Sequence, residues 1–393
     1  TSVATSPATL ALSGGKTISN RTLSLDGLGV ASAGALRSIA GNNTWSGNIN
    51  LAGTTQIAYV GVDTGSLTLA GRIDGGSSTL YKTVIGSGTV FQTGNDNVPV
   101  FVNSSGLLKG NGKTGIIGMT AGQSGYVSPS SFSSEVAILS ASGILAQSSV
   151  GTFNFDISGQ GTPVVSPVAG IDYDQINVLG TVNLAGSPLL TINFTGNFNP
   201  TFRGSSYTII NNDGNDAIQG TFRNLPEGAY LTYQGVSYQV SYVGGDGNDV
   251  TLTCAGVLTT NLISSDDLDS ITKYGQAVTF TALISSSSGY QGVPTGSVQF
   301  FDQGLPIGAP VGVSGGIAQV SISDLSVNGS PHLITAQFIG SNLFGNSNSN
   351  IVSHSVLKAD TTLVVENNYS EYGIGLDLEV EAVITPEALS SNI

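Results

Sequence analysis

The most constraining feature of this sequence is a short alternation that keeps returning, Leu-x-Leu-x-Gly. It occurs as Leu10-Ala11-Leu12-Ser13-Gly14, Leu23-Ser24-Leu25-Asp26-Gly27 and Leu67-Thr68-Leu69-Ala70-Gly71, with Ile49-Asn50-Leu51-Ala52-Gly53 and Val182-Asn183-Leu184-Ala185-Gly186 as close variants. Apolar residues two apart share one face of a strand, and a glycine punctuates its end. Strands this short cannot bury that face alone, whereas many of them stacked make a continuous core. The intervals between the first four runs are irregular, at 13, 26 and 18 residues. The expected fold is therefore all-β: a right-handed parallel β-helix with loops of variable length, running over residues 1–255. A sandwich of antiparallel strands is the alternative.

Residues 172–254 read as a junction or cap within that segment. Alternation continues there (Ile176/Val178, Val182/Leu184, Leu190/Ile192/Phe194, Tyr238/Val240/Tyr242), interrupted by Gly, Asn and Pro. Aromatic residues are dense, which suits a capping core. The run from Tyr173-Asp174-Gln175 to Gly247-Asn248-Asp249-Val250 resembles the end of the passenger region in bacterial autotransporter-type surface proteins with autotransporter-associated β-strand repeats. Gly41-Asn42-Asn43-Thr44-Trp45-Ser46-Gly47 is similar to a signature of those repeats, and Gly106-Leu107-Leu108-Lys109-Gly110-Asn111-Gly112 and Gly125-Tyr126-Val127-Ser128-Pro129 resemble their later turns. The resemblance implies a secreted β-helical stalk that ends near residue 254, and it implies no activity. Trp45, the one tryptophan, is either a sugar-stacking platform or the anchor of a rung, and the anchor is the simpler reading.

Charge excludes one broad class of partner. Net charge is −14, and charged residues are only 9% of the chain, against the usual ~25%. Residues 1–255 carry −4 of it and residues 256–393 the remaining −10. Nucleic-acid binding needs a basic footprint, so none is expected. Hydrophobic residues make up 39%, which argues for a folded chain rather than a disordered one. No apolar run approaches the ~20 residues of a membrane helix. The single cysteine, Cys254, allows no internal disulfide and is expected as a small buried apolar residue. No signal peptide is recognised, because Thr1 opens directly in β-like sequence. Sequons at Asn20, Asn42, Asn103, Asn193, Asn328 and Asn368 make glycosylation possible.

After Cys254 the strand-like runs lengthen, over residues 277–284, 297–301, 317–322, 333–338 and 351–357. Residues 256–358 are expected to form one sandwich. Tyr274-Gly275-Gln276-Ala277-Val278-Thr279-Phe280-Thr281-Ala282, Pro294-Thr295-Gly296-Ser297-Val298-Gln299-Phe300 and Ile334-Thr335-Ala336-Gln337-Phe338 resemble bacterial Ig-like modules, a family that occurs in tandem on surface proteins without the antibody-type disulfide. Thr259-Thr260, Lys273-Tyr274-Gly275 and Ala282-Leu283-Ile284 echo later as Thr361-Thr362, Glu371-Tyr372-Gly373 and Ala382-Val383-Ile384. Residues 359–393 therefore read as the start of a second Ig-like module, not completed within this chain.

Candidate chemistry is sparse. His332 and His354 both fall in the Ig-like segment, and residues 1–255 contain no histidine, so no Ser–His–Asp or Cys–His arrangement can be built there. Asp172, Asp174, Asp213 and Asp216 would be the carboxylates of a polysaccharide-processing site, yet aspartates also stabilise tight turns through their own backbone. Gly244-Gly245-Asp246-Gly247-Asn248-Asp249 matches the opening of a nonapeptide calcium repeat, although Thr251 stands where that repeat buries an apolar residue. Asp213, Asp216, Asp246 and Asp249 are thus candidate calcium ligands, with no other cofactor expected. Asp266-Asp267-Leu268-Asp269 is a weaker candidate at the entry to the Ig-like segment.

The functional expectation is a non-enzymatic extracellular module, a stalk, spacer or adhesive surface of a large bacterial surface protein. Its partners would be host or neighbouring-cell glycans or proteins. The alternatives are a subunit of a self-assembling filament or surface layer that forms a homo-oligomer by exchanging its C-terminal strands, and a carbohydrate-active β-helix.

Overall fold

The computed structural model describes residues 7–51, 57–75, 81–130, 136–160, 166–197, 203–286, 290, 292–366 and 381–386. Among them the regular structure is strand after strand, with a single 3-10 turn at Val30–Ser32 and no α-helix. The chain divides into two compact units: residues 1–233 with 237–255, and residues 256–393 with 234–236.

In the first unit the short alternating runs become the strands of three sheets. Leu10–Ser13, Leu36–Ala40, Ile57–Val62, Tyr81–Ile85, Val100–Val102, Lys113–Met119, Ile138–Ala146, Gln175–Val178 and Ser206–Asn212 follow one another in the first sheet. Thr17–Ile18, Asn42–Trp45, Ser66–Leu69, Thr89–Gln92, Gly106–Gly110, Gly125–Pro129, Thr152–Gln160 and Leu189–Asn197 make the second. Leu23–Leu25, Ile49–Leu51 and Ile73–Asp74 make the third. The chain visits the three sheets in turn up to Asp74 and then alternates between the first two as far as Gln175–Val178. These ladders are parallel, with partners such as Leu36↔Val60, Leu67↔Val90 and Leu108↔Val127. Parallel neighbours need a crossover between them. Here strands of the other sheets serve as the crossover, and the antiparallel-sandwich alternative does not hold for this segment.

Register places like on like. Leu25 lies beside Leu51, Ile49 beside Ile73, and Ile18, Trp45 and Leu69 form one row. Leu67, Leu69, Val84, Val90, Val100, Leu108, Ile117 and Val127 have no exposed surface. Each fully buried side chain of this kind stabilises by about 1.5–3 kcal/mol relative to exposure. Of the residues expected to share the core, Leu12, Leu25, Ile49, Leu51, Val182 and Leu184 are buried, while Leu23 is half-buried and Leu10 is exposed. The difference lies within each strand: Leu10 and Leu23 open theirs, and the second apolar residue of the same strand, Leu12 or Leu25, is the buried one. Ala52 and Gly53, part of one expected run, lie outside them.

Glycine has a packing reason here. A Cβ on Gly71 would strike the carbonyl oxygen of Gly47, one on Gly94 that of Gly71, and one on Gly112 that of Gly94. Successive turns of the backbone touch at this corner, and only hydrogen fits between them.

Parallel stacking stops at Ser206–Asn212, which pairs antiparallel with Asp249–Val257; Val236–Gly244 and Tyr230–Tyr233 continue the sheet, and Val182–Leu184 and Gln219–Gly220 join it from the side of Ile138–Ala146. The aromatics gather at this end. Tyr173 meets Tyr207 edge-on at 5.3 Å, Phe194 lies 5.4 Å from Tyr238, and Phe153 meets Phe222 at 6.0 Å. Aromatic contacts of this geometry add about 0.5–1.5 kcal/mol each beyond area burial. Cys254 is buried.

The second unit contains a two-sheet sandwich. Thr259–Ser265, Val278–Ser286 and Ile317–Ile322 form one antiparallel sheet. Ile271–Lys273, Val352–Leu357, His332–Gly340, Gly296–Asp302 and Leu305–Gly312 form the other, with Ser347–Asn348 beside it. Phe280, Ala282, Ile284, Val298, Phe300, Ile334, Ala336 and Phe338 fill the core between them. The strand Leu305–Gly312 was not anticipated. It carries no buried residue and sits at a sheet edge, so no alternation betrays it.

Beyond the sandwich, Thr361–Glu366 pairs antiparallel with Glu381–Pro386, and the two form a sheet of their own. Their register repeats the sandwich: Ile263↔Ala282 and Leu262↔Leu283 there, Val365↔Ala382 and Val364↔Val383 here. Leu376, Leu378, Val380, Glu379 and the Glu371-Tyr372-Gly373 echo lie outside the described residues, as does Asn368.

Candidate functional site

The carboxylates that sequence offered for catalysis are tied to backbone. The two Asp174 oxygens accept the N–H groups of Ala137 at 2.8 Å and Asp156 at 2.9 Å, and the residue has no exposed surface. Burial pushes its carboxyl up to about 8, with the Asp156 charge adding to the rise against the two N–H groups. Asp172 is also buried and accepts the Val168 N–H at 2.8 Å. Both close a loop onto the stack. Asp213 is exposed and Asp216 half-buried.

The two acidic turns sit on strands that pair, Ser206–Asn212 with Asp249–Val257. Asp249 is buried and accepts the Asn212 N–H at 2.8 Å, and burial pushes its carboxyl above the ordinary range. Two asparagines hold the first turn: Asn212 donates to the Asp216 carbonyl at 2.8 Å and Asn248 to the Gly214 carbonyl at 2.6 Å. Asp246 is exposed. The Asn212 Oδ1 and Asp216 Oδ2 atoms are buried and have no hydrogen-bond donor. Among the described residues no group of three His, Cys, Asp or Glu side chains is arranged to hold a metal ion.

Trp45 is 5% exposed, inside the row between Ile18 and Leu69, so its ring packs rather than presents. In the sandwich, His332 and His354 are cross-strand partners, and both are buried. His332 bridges Asp302 and the Ser326 carbonyl, each at 2.7 Å. His354 contacts Thr272 Oγ1 at 2.8 Å and meets the Phe280 ring edge-on; its burial lowers the imidazole below its ordinary range. These are packing roles.

A groove that sequence did not single out opens on the flank of the parallel stack. It encloses about 1050 Å³ and is lined from four stretches of chain, residues 72–75, 95–99, 111–116 and 140–142. Asn95, Asn97 and Asn111 are exposed along it, and Ile116 is 38% exposed. Arg72 is paired with Asp74 at 2.7 Å. Beneath them Asp96 is buried, where its Oδ1 accepts the Val98 N–H at 3.0 Å. No local signal could have found this groove, because each stretch contributes only a few ordinary polar residues.

The two packed sheets of the second unit, with their phenylalanine core and no disulfide, define an Ig-like sandwich. Residues 267–357 match the family of bacterial Ig-like domains (group 3). No curated protein matches the chain. Among the described residues no helix is long and apolar enough to cross a membrane.

Proposed function

We propose that this chain is a non-enzymatic extracellular module, a stalk or adhesive spacer of a bacterial surface protein. In this reading residues 1–255 are a right-handed parallel β-helix of the autotransporter-repeat type and Ig-like modules follow it. The observation that carries it is the uninterrupted parallel stacking from Leu10 to Asn212. A parallel stack gives reach and stiffness with each turn needing only its neighbours. The Ig-like match supports a surface or structural role. The engagement of Asp172 and Asp174 by backbone N–H groups weighs against the carbohydrate-active alternative. Antibody labelling of intact source cells, with and without protease shaving, tests the reading. Labelling that shaving removes is expected; a pool seen only after lysis would sink it.

Self-assembly is the second reading, favoured by the pair Thr361–Glu366 and Glu381–Pro386, which joins no further strand among the described residues. In the sandwich the corresponding strand Val278–Ser286 has a second neighbour, Ile317–Ile322. An open edge of this kind is a template for strand addition. If a neighbouring subunit fills it, removing residues 361–393 abolishes the oligomers seen by mass photometry. An unchanged mass distribution and melting temperature would end that reading.

Calcium at Asp213, Asp216, Asp246 and Asp249 is a proposal about the same cap, resting on the donor-free oxygens of Asn212 and Asp216.

A further inference from the structure

We propose that the flank groove of the first unit holds a linear, hydroxyl-rich polysaccharide strand running along the stacking direction. This deepens the adhesive reading above and rests on it, since it names what the surface would hold.

The first argument is dimension. Four stretches of chain line the groove, and each belongs to a further turn of the stack. Neighbouring strands lie about 4.8 Å apart, so the lining spans roughly 14 Å across the strands. That spacing is close to the rise of a pyranose along an extended glycan, so successive sugars meet successive turns. At about 1050 Å³ the groove lies at the upper end of small-molecule pockets, about 300–1,000 Å³, and has room for several sugar rings in a row.

The second argument is chemistry. Asn95, Asn97 and Asn111 each present a donor and an acceptor together, the pairing that neighbouring sugar hydroxyls require. Ser140 and Ser142 add hydroxyls on the next strand of the stack, where Ser140 lies beside Lys113. The partly exposed Ile116 side chain offers an apolar spot for the C–H face of a ring. An apolar ligand fits poorly, because polar side chains dominate the walls.

The third argument is rigidity. Asp96 ties its own loop through the Val98 N–H, and Asp96 N–H donates to the Lys113 carbonyl at 2.9 Å. Asn95 bridges to Lys113 as a parallel neighbour. A pre-ordered floor lowers the entropic cost of binding. With Asp74 held by Arg72 and Asp96 buried beneath the floor, no free pair of carboxylates faces the ligand among the described residues, so the groove holds rather than cleaves.

Calorimetry on the full chain tests this, using linear hexaoses of glucose, N-acetylglucosamine, xylose, mannose and galacturonate as probes. Binding of at least one probe is expected, weakened about tenfold by the double variant Asn97→Ala with Asn111→Ala, in keeping with the loss of one or two hydrogen bonds. Both positions are exposed, so melting should not change. Ser140→Arg, which fills the groove, should abolish binding. Binding that survives both variants overturns the groove but leaves adhesion elsewhere on the surface intact. Silence from every probe overturns the groove as well and leaves the stalk reading to stand on surface labelling.

Discussion

Leu69 and Leu10 belong to runs of the same sequence pattern and differ in what covers them. Leu69 has no exposed surface, while Leu10 is 38% exposed. Leu69→Ala should therefore cost about 2–5 kcal/mol in urea unfolding, and Leu10→Ala well under half of that. Equal losses would mean the core is not continuous. Asp174 allows a pH prediction. Its folded value of about 8 lies above the 3.8 of an unperturbed carboxyl, so the folded state keeps a proton that the unfolded chain releases. The stability tied to that proton is full below about 3.8 and is lost as pH rises to about 8. Melting across that window should show wild type declining relative to Asp174→Asn. A constant offset between the two would refute the shift.

Among the elements, the corner glycines and the acidic turns carry the sharpest expectations. Gly71→Ala puts a methyl against the Gly47 carbonyl and should destabilise by about 1–3 kcal/mol, as overpacking does. Gly312→Ala, where a Cβ meets nothing within 4 Å, is the matched control and should be near neutral. Calcium in the cap would raise the melting temperature by ligand linkage, about 2.7 kcal/mol at a concentration one hundred times the dissociation constant. Asp216→Asn should remove that rise. Identical melting in calcium and in chelator would leave the Asn212 and Asp249 contacts as purely structural turns.

For the whole molecule, the uneven charge and the two units define what the protein can meet. Net charge is −14, and −10 of it falls after residue 255. Association that depends on the second unit should strengthen with salt as like charges are screened. Purified protein should release no sugar ends from the probes that it binds. Reproducible release abolished by Asp174→Ala would overturn the non-enzymatic reading.

The amino-acid pattern is decisive over short distances only. A period of two makes strands whoever their neighbours are, so Leu12, Leu51, Leu67 and Leu184 could be assigned to a buried face from the pattern alone. The longer alternating runs after Cys254 likewise marked five of the sandwich strands, while Leu305–Gly312, with no buried face, left no such mark. Tertiary structure alone decided which strands became neighbours and in what direction. The passage from three sheets to two after Asp74 and the antiparallel close at Ser206–Asn212 depend on pairing between residues tens of positions apart. The acidic turns could be read as candidates because glycine and aspartate mark turns, but the burial of Asp174 could not, since desolvation is set by what folds over it. The flank groove was illegible for the same reason: residues 72, 97, 111 and 140 become neighbours only when successive turns are stacked.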